Sequence, residues 1–261
     1  MEIFNSWLVH KYIAHRGLHD KTHPENTLLA FQNAIDHDYA IELDIHPIED
    51  GTPVVFHDDT LKRLTGKDGY IKKIKNVEEL KTLTILDTDE KIPTLEETLE
   101  FVNGRAPLLI EIKDYNTNSK FEQRVYEMLK KYKGDYAIMS FNPYTLKWFR
   151  QNAPEVLRGQ LASMFKGEKM GLIRRIVLKS MALNKSHSQP NFICYKWDEV
   201  PNNLKNHPSI NDDKTGGYKY PHDFGGYVKQ QYLPNKLKNK RYYIPKKNGR
   251  EKGMIRKKDM F

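Results

Sequence analysis

The chain holds one cysteine, Cys194, among its 261 residues. A single cysteine excludes an internal disulfide and fits a reducing compartment, so a cytoplasmic protein is expected. Its setting in the apolar run NFICYKW reads as a packed small hydrophobe rather than a nucleophile. No apolar run approaches the roughly 18 to 20 residues of a membrane-crossing helix, so stable membrane insertion is not expected. The opening stretch, MEIFNSWLVHKYIAHRG, has no basic flank followed by an apolar core and a small-residue cleavage site. No GxxxxGK[ST] loop occurs anywhere, which removes ATP hydrolysis from consideration. Nor does a glycine-rich loop follow the first apolar run, which weighs against a doubly wound nucleotide-binding sheet.

What is present begins with enough apolar residue, 38% hydrophobic and 11% aromatic, to bury a core. The formal charge of +9 is uneven. Residues 201–261 carry 15 Lys+Arg against 5 Asp+Glu, which leaves 28 against 29 for residues 1–200. A near-neutral body therefore precedes a strongly basic, tyrosine-rich tail. The sequence pI near 9.3 belongs to that tail and says nothing about the body.

Along the body, short apolar runs alternate with helical patterns. YIAHRG, AIELDIH, PLLIEIK, YAIMSFN, LRGQLAS and NFICYKW read as six strands. Helices are expected through NTLLAFQNAIDH, TLEETLEFV, FEQRVYEMLKKY, PYTLKWFRQNA and MGLIRRIVLKSMAL. Thr94 followed by Glu97 gives the second of these a capping box. PVVFHDD should fold back on the second strand through a turn at Asp50-Gly51. Repeated βα units predict a parallel sheet covered by helices, and polar residues gathered at strand ends predict the (β/α)8 TIM-barrel type of α/β fold. MGLIRRIVLKSMAL reads as an ordinary barrel helix, with a basic membrane-facing helix as the alternative.

Glu42 and Asp44, two residues apart on one strand, face the same side about 6.5 to 7 Å apart. Buried acids need a partner or a metal, and Glu111 on the next parallel strand can join them. Three carboxylates without a thiolate suit a hard cation, Mg²⁺ or Ca²⁺, better than zinc. Arg16 and Lys113 beside them describe an anion cradle, with phosphate the usual occupant. His15 and His57 supply proton-transfer groups. Together these read as a metal-assisted phosphoester site. Glu25 and Asn26 are expected to order a loop and cap a helix. His10, His19, His23, His37 and His46 are expected at the surface or in support of the site.

The segments AHRG, PENT, IELDIH, DGTPVVFHDDTLKRLTG, IPTLEETL and LLIEIK resemble, in order and spacing, the glycerophosphodiester phosphodiesterases. The resemblance runs from about Tyr12 to Asn203. It implies a barrel that hydrolyses glycerophosphodiesters to an alcohol and glycerol 3-phosphate with a divalent metal, a role in glycerophospholipid metabolism. By motif, His15 and His57 would be the acid/base pair, in an order the sequence does not fix. Glu42, Asp44 and Glu111 would hold the metal, and Arg16 and Lys113 the phosphate. Lyase-type phospholipases share the two-histidine, three-carboxylate set, but IPTLEETL and the lack of disulfides favour the phosphodiesterase side.

Family members continue with two further strands that do not appear here. The segments GYKYPHDF, VKQQYLP and YYIPKKNGRE instead resemble the end of bacterial replication-associated recombination AAA+ ATPases, over about residues 216–252. The expected organisation is a barrel lacking strands 7 and 8 over residues 1–203, then a basic, mostly irregular segment over 204–261. Three readings follow: an active hydrolase of a small-molecule substrate, a catalytically impaired remnant, and, least favoured, nucleic-acid binding by the tail. The sequence leaves headgroup and oligomeric state open.

Overall fold

The computed structural model describes residues 6–114, 119–165 and 171–195. A short helix α1 (Trp7–His10), capped by the Ser6 hydroxyl, leads into β1 (Ile13–Ala14). Helix α2 (Leu28–Asp36) follows, then β2 (Ala40–Pro47) and β3 (Pro53–Val55). Next come α3 (Lys62–Thr65), a 3-10 turn (Ile71–Lys73), α4 (Val77–Leu80) and α5 (Leu95–Val102). The succession continues through β4 (Leu108–Ile112), α6 (Lys120–Leu129), β5 (Tyr136–Ser140) and α7 (Pro143–Asn152). It ends with β6 (Leu157–Ala162), α8 (Leu172–Lys179), a π-helical turn (Asn184–Ser188) and β7 (Phe192–Tyr195).

Six strands pair in parallel in the order β1-β2-β4-β5-β6-β7, a half-barrel, with β3 antiparallel on β2. These are the six runs that the alternation predicts. Among the described residues β1 and β7 end the sheet, as a barrel without its last two strands requires. The hairpin strand stops at Val55, short of the predicted PVVFHDD, and His57 lies in the loop beyond it.

Strand alternation sorts the core. Ile41, Leu43, Ile45, Leu108, Ile110 and Ile138 face the helices and pack with Phe31, Leu95, Val125 and Phe149. Each such buried side chain contributes about 1.5 to 3 kcal/mol. The opposite face carries Leu109, Ala137, Met139 and Leu157, packed by Ile13, Phe192, Cys194 and, from α1, Trp7 and Leu8. Glu42, Asp44 and Glu111 share that inner face, nearer the carboxyl ends of their strands. A third core, including Phe56, Leu61, Leu64, Ile71, Leu80 and Ile92, organises the segment between β3 and α5.

Helix caps follow the sequence closely. The Thr94 capping box forms, and Thr27 rather than Asn26 caps α2, its hydroxyl accepting from Ala30 N–H. Helix α8 departs from the ordinary barrel helix: Leu172, Ile173 and Ile176 are exposed, and it contains no fully buried residue.

Candidate functional site

The site is built where β1, β2 and β4 end. Arg16 and Gly17, just after β1, both take left-handed backbone (φ 57° and 78°). For Gly17 the turn leaves no choice, since a Cβ there would stand 2.8 Å from the Ala30 Cβ. This turn aims the Arg16 N–H at Glu42, donating to Oε2 at 2.8 Å. It also sets His15 Nε2 4.0 Å from the same oxygen.

Asp44 and Glu111 are direct partners in the β2–β4 register. Glu42, Asp44 and Glu111 are all buried, and each offers an oxygen within 4.8 Å of the others. Lys113 reaches both, with Nζ 3.3 Å from Asp44 and 3.0 Å from Glu111. The Arg16 Nε lies 3.5 Å from Asp44 Oδ2 and is buried without a hydrogen-bond partner. His57 follows Phe56, whose N–H donates to the Asp44 carbonyl at 3.0 Å. His46 Nε2 contacts the His57 carbonyl at 3.0 Å, and since a carbonyl only accepts, that nitrogen carries a proton.

The electrostatics are those of a site short of positive charge. Desolvation, with the Asp44 and Glu111 charges, raises the Glu42 carboxyl well above its usual range. Desolvation takes Glu111 up to about 7 against the pull of Lys113. Asp44 is held low despite its burial, because Lys113, His57 and Arg16 surround it with positive charge. Burial, then the Arg16 charge, pushes His15 down to about 3, and burial lowers His57 as well. The raised Glu42 and Glu111 carboxyls favour their protonated forms unless a cation takes the place of the protons. An all-oxygen set of this kind fits a hard divalent cation.

All seven predicted residues converge on this cleft: Glu42, Asp44 and Glu111 from strands, His15, Arg16 and Lys113 from just past strand ends, and His57 from the loop after β3. Four further residues escape a reading of motifs. Asn26, fully buried with φ 57°, donates from Nδ2 to Asp44 Oδ2 at 2.9 Å and accepts from Asp44 N–H at 3.3 Å. Glu25 accepts from Arg16 at 2.8 Å. Asp58 pairs with His57 Nδ1 at 2.7 Å, and Arg63 bridges Asp58 and Glu25. Asn26 and Glu25 thus serve side chains of the site instead of capping a helix. Each of these residues lies inside a quoted motif, which was the available signal, but their partners are up to 38 residues away.

Comparison with known proteins bears on this cleft directly. A family profile described as MgsA AAA+ ATPase C terminal matches residues 179–260. That match starts well before the three C-terminal segments and takes in β7. A glycerophosphodiester phosphodiesterase of Caldanaerobacter subterraneus subsp. tengcongensis is 35% identical over 160 residues, covering 57% of this chain and 65% of that protein. The chain therefore spans just under two thirds of the length of that relative. Among solved structures, an Oleispira antarctica phosphodiesterase in complex with the product sn-glycerol-3-phosphate superposes with a TM-score of 0.66. It shares 26% identity over 89% of this chain and 90% of that one. A glycerophosphodiester phosphodiesterase of Thermotoga maritima gives 0.53 at 32% identity, covering 71% and 74%. The profile of the glycerophosphoryl diester phosphodiesterase family matches residues 15–206, beginning at His15 itself and taking in the whole acidic cleft. With most of its length inside that match, the chain belongs to the glycerophosphoryl diester phosphodiesterase family.

Proposed function

We propose that this chain hydrolyses glycerophosphodiesters to an alcohol and glycerol 3-phosphate. The observation that carries the reading is the buried carboxylate trio Glu42, Asp44 and Glu111, with His15 4.0 Å from Glu42. These three carboxylates would hold Mg²⁺ or Ca²⁺, and family membership supports a divalent ion. When bound, that ion supplies charge stabilisation to the phosphoryl oxygens. Arg16 and Lys113 orient the phosphate, the buried Arg16 Nε being a donor without a hydrogen bond of its own.

His15 and His57 move the protons. One imidazole nitrogen takes a proton from the attacking water as the new P–O bond forms; where a substrate hydroxyl attacks first, the cyclic phosphate so formed is opened by water in a second such step to give glycerol 3-phosphate. The other imidazole, protonated, gives its proton to the alcohol oxygen as the old P–O bond breaks. The division of the chain into a hydrolase body to about residue 203 and a separate basic segment is part of the same reading, as is work in a reducing cytoplasm.

The direct test is release of glycerol 3-phosphate from glycerophosphocholine by purified full chain, with Mg²⁺ or Ca²⁺ and then with EDTA. Metal-dependent turnover, lost in His15→Ala and Glu42→Ala, is the expected result. Turnover that persists unchanged in EDTA removes the metal from the scheme. A second reading, a catalytically impaired remnant, draws on the sheet that ends at β1 and β7 among the described residues. Folded protein without turnover in either metal would favour it.

A further inference from the structure

Arg63 lies outside the cleft, on α3, with its side chain 46% exposed. Its neighbours Leu61 and Leu64 are buried in the core between β3 and α5, which fixes where its backbone stands. The guanidinium grips two carboxylates at once. Nε and Nη2 donate to Asp58 at 2.6 and 2.9 Å, while Nη1 and Nη2 donate to Glu25 at 2.8 and 2.7 Å. Exposed ion pairs usually contribute little, and the exceptions are bidentate guanidinium–carboxylate networks of this kind. Both carboxylates are mostly buried, at 20% and 12% exposed.

Each carboxylate continues into the site. Asp58 contacts His57 Nδ1 at 2.7 Å, and Glu25 accepts from Arg16 Nη1 at 2.8 Å. The unbroken chain His57–Asp58–Arg63–Glu25–Arg16 therefore joins a proton-transfer group to a phosphate-binding group around the outside of the cleft. We infer that Arg63 is a positioning residue: through Asp58 it fixes the His57 tautomer and ring, and through Glu25 it fixes the Arg16 guanidinium. This rests on the functional reading above for the roles of His57 and Arg16.

The chemistry of the left arm is definite. Desolvation alone would raise Asp58, but hydrogen bonds from Arg63 and His57 outweigh it and bring its carboxyl down to about 2. An ionised carboxylate only accepts, so the proton of neutral His57 sits on Nδ1 and Nε2 is left with its lone pair. On the right arm, Glu25 anchors one end of Arg16 and leaves its buried Nε aimed toward Asp44. A lysine cannot reproduce this, since one ammonium lacks the planar fork that serves two carboxylates.

The test uses the full chain and the variants Arg63→Ala, Arg63→Lys, Asp58→Asn and Glu25→Gln. The first readout does not depend on activity: long-range ¹H–¹⁵N NMR of the imidazoles, with His57 identified by its loss in His57→Gln. The wild type is expected to show His57 as a single tautomer protonated on Nδ1. Arg63→Ala and Asp58→Asn are expected to show a mixture. The second readout is steady-state hydrolysis of glycerophosphocholine. Asp58→Asn should lower kcat, Glu25→Gln should raise KM, and Arg63→Ala should do both, by about 10- to 100-fold in kcat/KM. Arg63→Lys should fail to rescue either. Arg63→Ala with a lowered melting temperature but an unchanged His57 tautomer and unchanged KM would overturn the inference in favour of simple loop stabilisation. A tautomer that shifts as expected in a chain without turnover would support the positioning role while overturning the hydrolase reading.

Discussion

Asn26 commits its entire amide to Asp44, donating to the carboxylate and accepting from the backbone N–H, in a left-handed conformation that asparagine tolerates better than most residues. Residues that orient a ligating carboxylate commonly tune metal affinity about 10- to 100-fold. Asn26→Ala is accordingly expected to weaken Mg²⁺ or Ca²⁺ binding by that factor in calorimetric titration. Unchanged affinity would mean that Arg16 and Lys113 alone orient Asp44. A second carboxyl, Glu122 on α6, is buried away from the cleft. Its Oε1 accepts from the Thr145 hydroxyl at 2.6 Å, and its Oε2 has no hydrogen-bond partner. Desolvation raises this carboxyl above its ordinary range. The folded state therefore keeps a proton that the unfolded chain releases above about pH 4.3, and stability falls as pH rises from there through the folded value. Glu122→Gln removes that loss. Its stability relative to wild type, from urea unfolding, should grow as pH rises from 4 to 8. A pH-independent difference would show that the Glu122 carboxyl titrates alike in the folded and unfolded chain. Why were the seven cleft residues legible in the sequence when Asn26, Asp58 and Arg63 were not? The former are acids, histidines and cations placed in strand-end motifs, where burial demands a chemical reason. The latter draw their meaning from partners brought close only by the fold.

At the scale of elements, the six parallel strands were readable as short apolar runs between helical patterns, because strands inside a covered parallel sheet are apolar on both faces. Glu42 and Asp44 could be placed on one face because side chains two apart on a strand point the same way. Helix α8 was readable as a helix but not in its setting, since its apolar residues have helical spacing yet Leu172, Ile173 and Ile176 stay exposed. Periodicity reports which residues share a face, not whether that face is covered. Gly159 shows a constraint of the opposite kind, invisible in sequence and tight in space. It is the register partner of Phe192 across β6 and β7, and a Cβ on Gly159 would fall inside the contact distance of the Phe192 ring. The absence of a side chain there is what lets the ring lie over the inner face. Gly159→Ala is expected to cost about 1 to 3 kcal/mol in urea unfolding, the usual range for overpacking. Adding Phe192→Leu should recover part of the loss, because the smaller side chain vacates the space. A double variant less stable than either single one would mean that the ring is needed more than the space is short.

Charge divides the chain sharply near residue 200. Residues 201–261 hold a surplus of ten positive charges, and the preceding 200 residues are balanced to within one. The acidic trio meanwhile sits on β2 and β4, four and three strands removed from β7 along the sheet. Two properties should therefore separate when the chain is cut after Asn203. Retention on a cation exchanger at pH 7 follows net charge and should be lost with the basic segment. Stabilisation by Mg²⁺ or Ca²⁺ follows the trio, whose raised Glu42 and Glu111 make ion binding compete with protons. That stabilisation, read as a rise in melting temperature, should survive the cut and should be larger at pH 8 than at pH 5. If the metal-induced rise disappears with residues 204–261, the basic segment is part of the folded body and the proposed division at residue 203 is wrong. If the rise survives and glycerol 3-phosphate release survives with it, six strands suffice for the chemistry, and what the basic segment does becomes a question of its charge alone.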